Sequence, residues 1–177
     1  MAKRICITGS IACGKSLFAK YLNELGLETL DADDVAHELV APEERERLKA
    51  VVFRDPVARK ELEARLHPLI RARLDAWQDA AQDKPRVAVI PLLFEVHWEE
   101  KYDIICAVVC DETLQMARMT ENRGYSREDA LSRLAAQLPS SLKAKKSHYL
   151  VHNDGTTEEL KTAARDFVRW LKEQEAI

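Results

Sequence analysis

The chain is poor in the residues that mark special classes of protein. Its 177 residues include only 5 Gly, 6 Pro and 4 Cys. So few glycines and prolines exclude a collagen-like or linker-rich chain. Cys6, Cys13, Cys106 and Cys110 form no CxxC pair and bring no His or acid partner at ligand spacing. Neither a disulfide framework nor a zinc site is therefore expected, and all four read as reduced thiols of a cytoplasmic protein. No apolar run approaches the ~18 residues that a membrane helix needs, and MAKRICITG at the N-terminus has no long apolar signal region. An excess of one charge is missing as well. Lys and Arg number 27 against 30 Asp and Glu, a net −3, which argues against wholesale binding of nucleic acid or membrane.

What remains is a globular composition, 46% apolar and 32% charged, of a length that fits a single domain over 1–177. Five short apolar or β-branched runs read as strands: Arg4–Thr8, Glu28–Asp31, Arg86–Phe94, Asp103–Val109 and His148–His152. Between them the apolar residues recur at helical spacing, as in Leu17, Tyr21, Leu22, Leu25 and again Phe167, Trp170, Leu171. Strands alternating with helices predict βαβ units, hence an α/β fold with a parallel sheet covered on both faces. Two stretches break the alternation. Ala32 to Gln82 reads as consecutive helices, and Asp111 to Lys146 is helical and basic. From Leu114 to His148 the charge is +4, leaving −7 for the rest.

The most informative motif is Gly9-Ser10-Ile11-Ala12-Cys13-Gly14-Lys15-Ser16, which fits G-x-x-x-x-G-K-[ST]. Glycines at both ends permit backbone conformations in which successive N–H groups point at phosphate oxygens. The helix that begins near Lys15 adds its N-terminal dipole and free N–H groups. Lys15 then reaches the β- and γ-phosphates, and the Ser16 hydroxyl is placed to ligate Mg²⁺. A predicted strand precedes the motif and an amphipathic helix follows, so the chain is expected to bind a nucleoside triphosphate.

A phosphate loop does not choose a reaction. Asp31-Ala32-Asp33-Asp34 follows the second strand, at the carboxyl edge where parallel-sheet sites form. A carboxylate there can ligate Mg²⁺ through water or take the proton of an attacking hydroxyl. Asp31 or Asp34 is expected to cap a helix or face solvent.

TGSIACGKS, DADDVAHELV, HPLI at 67–70, VIPLLFE at 89–95 and RLAAQ at 133–137 occur in this order. Together they resemble the dephospho-coenzyme A kinase family over almost the whole chain, through Asn153 to Gly155. The resemblance implies a three-layer P-loop kinase fold: a five-stranded parallel sheet (1–31, 84–115 and 148–177), a helical acceptor lobe (about 32–83) and a helical lid (about 116–147). It implies transfer of the γ-phosphoryl of ATP to the ribose 3'-hydroxyl of dephospho-coenzyme A, with Mg²⁺. By the same resemblance Asp33 is the base, Lys15 the clamp on the transferring group, and Arg133 the stabiliser of developing charge. Gly9, Ala12, Cys13, Gly14, Lys15, Ser16, Leu17 and Arg118 fall on nucleotide-binding positions. Asp33, His67, Leu93 and Glu95 fall toward the acceptor, with Glu95 assisting Mg²⁺ or orienting the acceptor.

At least one of Arg118 and Arg123 is expected to reach phosphates, whereas Arg127 and Lys143 read as surface ion pairs. His67 is read at a helix start, before Pro68. The chain departs from the pattern at Ser10, Ala12 and Leu17, and it is short between Val40 and the Arg45-x-x-Leu48 pair. Two alternatives stay open: a kinase of similar fold with another acceptor, and a nucleotide-binding regulator without turnover. A monomer or weak homo-oligomer, without nucleic acid or membrane partners, completes the expectation.

Overall fold

A computed structural model describes residues 3–42, 55–80 and 85–177. The Arg45-x-x-Leu48 pair lies outside the described residues. Five strands, β1 (Ile5–Thr8), β2 (Glu28–Asp31), β3 (Arg86–Val89), β4 (Ile104–Val109) and β5 (Tyr149–His152), pair in the order β2-β3-β1-β4-β5, all parallel. β1 and β4 are buried along their whole length, as expected of central strands covered on both faces.

The third strand is shorter than the apolar run that predicted it. Ile90 still donates to the Ile7 carbonyl, but Pro91 has no N–H to continue the ladder, and 91–97 turn back instead. Cys110 lies just past β4, so it does not share a strand face with Cys106.

Helix α1 (Lys15–Glu24) and the last helix, α7 (Thr157–Glu173), cover one face. α7 begins with a reciprocal cap in which Thr156 and Glu159 satisfy each other's backbone N–H. It buries Leu160, Ala164, Phe167, Val168 and Leu171, a stripe at helical spacing. Phe167 packs on Phe18 of α1 and on Tyr149 of β5, with ring centroids 5.9 and 4.9 Å apart.

The other face carries α2 (Ala32–Leu39) and α3 (Pro56–Asp79). Asp55 caps α3 by accepting from Val57 and Ala58 N–H, and Pro56 fits the first turn, where its missing donor costs nothing. Pro68 falls inside this 24-residue helix, so His67 stands mid-helix, not at a helix start. The C-terminal end of α3 is pinned beside β1 by Arg4, whose guanidinium pairs with Asp75 and Asp79 at 2.7 Å each, and by Gln78 Nε2 donating to Ile5 O.

Between β4 and β5 run α4 (Glu112–Ala117), a wider turn at 118–122, α5 (Arg127–Ala135) and α6 (Ser140–Lys145). This basic stretch is helical, as its composition predicts. Among the described residues no helix is long and apolar enough to cross a membrane.

Candidate active site at the carboxyl edge of the sheet

The strand-to-helix turn after β1 needs both of its glycines. Gly9 has φ 147, and a Cβ there would stand 2.2 Å from the Val108 carbonyl oxygen of β4. Gly14 has φ 94, and a Cβ would meet Asn153 Nδ2 at 2.1 Å. Ala12 adopts φ 60, a left-handed conformation that costs an L-residue about 1 kcal/mol or more. The turn ends where α1 starts, and the first N–H groups of that helix have no acceptor within it. Their dipole end and the loop form an anion cradle.

Neighbouring segments hold this loop from three sides. Asn153 Nδ2 donates to Cys13 O at 3.0 Å, and Gln115 Nε2 donates to Ile11 O at 2.6 Å. Ile11 N–H donates to Gln137 Oε1 at 2.9 Å, Ser10 Oγ bonds Leu138 O at 3.4 Å, and the Ser140 hydroxyl reaches Ser10 Oγ at 3.0 Å. The segment 137–140 therefore covers the loop.

Lys15 is buried and donates from Nζ to Ser10 O at 2.8 Å. Burial is the main cause that pulls its ammonium down to about 8, with Lys143 adding to it and Asp33 and Asp31 opposing. A phosphate would replace the solvation that burial removes. Ser16 is exposed in the first turn of α1, and Leu17 leans on the apolar core beneath the helix. Arg118 Nη2 donates to Asn153 O at 2.9 Å, while its Nη1 is buried without a partner. A guanidinium N–H left unpaired beside Asn153, the residue that holds the loop at Cys13 O, suits a phosphate oxygen. Arg133, on α5, stacks its guanidinium over the Tyr125 ring, 4.4 Å from the centroid.

At the end of β2, Asp31 accepts from Asp33 N–H at 2.9 Å and caps α2, the role expected of it. Its carboxyl is pushed up to about 6, mainly by burial and further by the neighbouring acids. Asp33 faces the space beside Lys15. Crowding by protein raises its carboxyl, and the Lys15 ammonium opposes that rise. Asp33 also lines a cavity of about 270 Å³ with Ala36, Leu66, His67, Ile70 and Leu92. His67 makes an edge contact with Trp98 at 5.9 Å between ring centroids.

Leu93 does not belong to that wall. It is fully buried in the core cluster between sheet and α3, and Leu92 is the residue that meets the cavity. Nor is Lys143 a surface cation. It is 0% exposed, paired with Glu95 at 2.8 Å and donating to Pro91 O at 2.6 Å. Glu95 Oε1 also accepts from Leu138 N–H at 2.8 Å, so this carboxylate joins the turn after β3 to the cover of the loop.

Sequence reasoning missed Gln137 and Asn153 as structural partners of the loop, and Lys143 as the cation paired with Glu95 behind its cover. Lys143 sits in a run with Lys145 and Lys146, and nothing in that spacing separates the buried cation from the exposed ones. The Asn153-x-Gly155 pattern was visible, and it marks the residue that reaches Cys13.

The model of the dephospho-CoA kinase family matches residues 3–45 and 43–159. The break between the two matches falls where the chain is short. Among curated relatives, the dephospho-CoA kinase of Geobacillus kaustophilus is 33% identical over 202 aligned positions, covering 100% of this chain and 99% of the relative. That of Geobacter metallireducens is 38% identical, covering 88% and 90%. The solved dephospho-CoA kinase of Campylobacter jejuni superposes with a TM-score of 0.67 at 25% identity, over 96% of this chain and 97% of that one. The chain belongs to the dephospho-CoA kinase family.

Proposed function

We propose that the chain transfers the γ-phosphoryl group of ATP to the ribose 3'-hydroxyl of dephospho-coenzyme A. One observation carries this reading: Asp33 lines the cavity, and its carboxyl lies within electrostatic reach of the Lys15 ammonium of the phosphate loop. An acceptor seated in the cavity and a triphosphate seated on the loop would meet between these two residues.

Phosphoryl transfer asks for in-line positioning and for cations around the equatorial oxygens. In this reading Lys15 exchanges its bond to Ser10 O for a phosphate oxygen. The amides from Gly9, Ala12, Cys13 and Gly14 through Lys15, Ser16 and Leu17 cradle the phosphates, and Arg118 spends its unpaired Nη1 on them. Asp33 accepts the proton of the attacking hydroxyl; burial raises its carboxyl and the Lys15 ammonium opposes that rise. Arg133 turns from Tyr125 toward the transferring group when the lid, about 116–147, closes over the site. His67, from the lobe of about 32–83, and Leu92, from the turn after β3, contact the acceptor.

Mg²⁺ fits the donor set. Among the described residues no group of three His, Cys, Asp or Glu side chains could hold a metal ion by itself. An ion of this kind is usually held by substrate phosphates and one or two protein oxygens. The exposed Ser16 hydroxyl supplies one, with Asp31 or Asp33 acting through water. Bound there, Mg²⁺ would neutralise charge on the β- and γ-phosphates. Glu95 engages Lys143 and Leu138 N–H through Oε1 and keeps Oε2 buried without a partner, an oxygen that would orient the acceptor or assist Mg²⁺.

ADP release from ATP and Mg²⁺ tests the reading, with dephospho-coenzyme A as acceptor beside acceptor-free and adenosine-monophosphate controls. Acceptor-dependent turnover to a product that runs as coenzyme A is expected. Binding of ATP without such turnover would point to a different acceptor or to a silent regulator.

A further inference from the structure

Two of the four cysteines meet at the phosphate loop. Cys13 lies between Ala12 and Gly14, and Cys110 is the first residue after β4. The close approach of Gly9 to the Val108 carbonyl presses the loop against the end of that strand. As a result the two sulfurs stand 3.4 Å apart, with the Cys110 thiol donating to Cys13 Sγ. Both residues are buried and neither is in a disulfide.

We propose that Cys13 and Cys110 are a modification site, a dithiol that a hydroperoxide converts to a disulfide and that thereby closes the cradle to nucleotide. The proposal goes beyond the kinase reading, because it concerns any triphosphate that the loop binds. A disulfide needs its sulfurs about 2.05 Å apart, so the pair must close by roughly 1.4 Å. Bond formation within the loop is thus short in reach, yet it moves a residue whose backbone belongs to the cradle. Cys13 O also anchors Asn153, so the displacement is passed on to β5.

The two thiols are unequal, which gives each a role. The hydrogen bond from the Cys110 thiol lowers Cys13 most, and Lys15 and Ser140 assist against burial, so the Cys13 thiol is held below its ordinary value. Cys110 is pushed up by the same contact and by burial, with Arg118 opposing and Asp154 adding. Cys13 is therefore the thiolate that attacks and Cys110 the thiol that resolves. The Cys13 thiolate attacks one peroxide oxygen, the O–O bond breaks, and the departing hydroxide takes a proton to become water. Cys13 is now a sulfenic acid, oxidised by two electrons. Cys110 sulfur then attacks Cys13 sulfur and gives up its proton, and the S–O bond breaks to release a second water. Two thiols and one hydrogen peroxide give one disulfide and two waters.

Access is controlled by the same segment that covers the loop. Ser10, Ile11 and Cys13 lie behind Gln137, Leu138 and Ser140, so a water-sized peroxide enters when these contacts part. A triphosphate on the loop stands in its way. Cys6 and Cys106 serve as internal controls: they point to opposite faces of the sheet, and burial pushes both thiols up.

The test exposes the full chain to hydrogen peroxide, blocks remaining thiols with N-ethylmaleimide, and reads intact mass, linked peptides and ATP affinity. Trypsin leaves Cys6 and Cys13 on peptide 5–15 and Cys106 and Cys110 on peptide 102–118, so fragmentation must place the bond. A loss of two hydrogens with the bond at Cys13 and Cys110 is expected. ATP affinity should fall by at least about tenfold, since ångström-scale displacement in a site costs up to ~100-fold. Dithiothreitol should restore it, and prebound ATP should slow the reaction. Cys110→Ser should keep its basal ATP affinity, form no bond, and hold a dimedone-reactive sulfenic acid at Cys13. No bond, or a bond at Cys6 or Cys106, would overturn the site. A bond with unchanged ATP affinity would overturn its closing of the cradle. Because these readouts are covalent and nucleotide-based, they stand apart from whether dephospho-coenzyme A is the acceptor.

Discussion

The two ends of the site are built by different means. At the phosphate end, hydrogen bonds from three separate segments hold the loop, and a buried ion pair stands behind its cover. At the acceptor end the wall is apolar, with Asp33, Glu63 and His67 as its ionisable residues. The difference follows from what each end handles. A multiply charged phosphate must find every donor already aimed, because reorienting dipoles during the reaction costs free energy. The part of an acceptor that enters an apolar cavity is placed by shape, and shape is set by side chains that merely exclude one another. Substitutions at the phosphate end should therefore act on rate and fold, and those at the acceptor end on KM.

Asp33, where the two ends meet, should give the largest effect. Asp33→Asn removes the proton acceptor while keeping the shape, and turnover should fall by about 10²–10⁴ with ATP affinity kept. Steady-state kinetics with a separate ATP titration checks both parts. The raised Asp33 carboxyl also sets a pH dependence. A base must be ionised, so kcat/KM in wild type should fall as pH drops through a value above that of an ordinary aspartate. An acid limb at the usual carboxylate position would mean that another group titrates. Arg133→Ala should lower kcat by about 10²–10³ and leave ground-state affinity nearly intact, if the guanidinium meets charge only in the transition state. Equal loss in acceptor affinity with an unchanged kcat would make it a binding residue.

The buried pair behind the loop separates fold from positioning. Lys143→Met leaves Glu95 buried without its cation and should cost about 3–5 kcal/mol of stability. A double variant, Lys143→Met with Glu95→Leu, removes both charges and should regain most of the lost Tm. Its kcat should stay low, because Glu95 no longer holds Leu138 N–H over the loop. Full activity in the double variant would reduce the pair to a purely structural one.

How much of this was legible in the sequence divides along the same line. The phosphate loop and α1 were readable because the covalent spacing of Gly9, Gly14, Lys15 and Ser16 is itself the geometry. The strand order was not, since nothing local states that β1 lies between β3 and β4. The run 86–94 overstated β3, because apolar character continues past Pro91 while hydrogen bonding cannot. Leu93 and Leu92 are adjacent and alike, and only the turn decides which one faces the cavity. Lys143 was unreadable for a different reason. Its burial depends on Glu95 and the Pro91 carbonyl, about 50 residues away in the chain.

The smallest effect belongs to the acceptor wall, where it bears most directly on the comparison. Leu92 is half-buried and lines the cavity that Asp33 opens into. Leu92→Ala removes apolar surface that the acceptor would cover, which at roughly 1–2 kcal/mol should raise its KM by about tenfold. kcat and ATP affinity should stay near wild type, because no group that meets the phosphates moves. Leu93→Ala, one residue on, empties part of the core and should lower Tm by several degrees with little change in KM. If the two variants exchanged these signatures, the turn after β3 would present the other leucine to the acceptor, and shape would no longer be what places it.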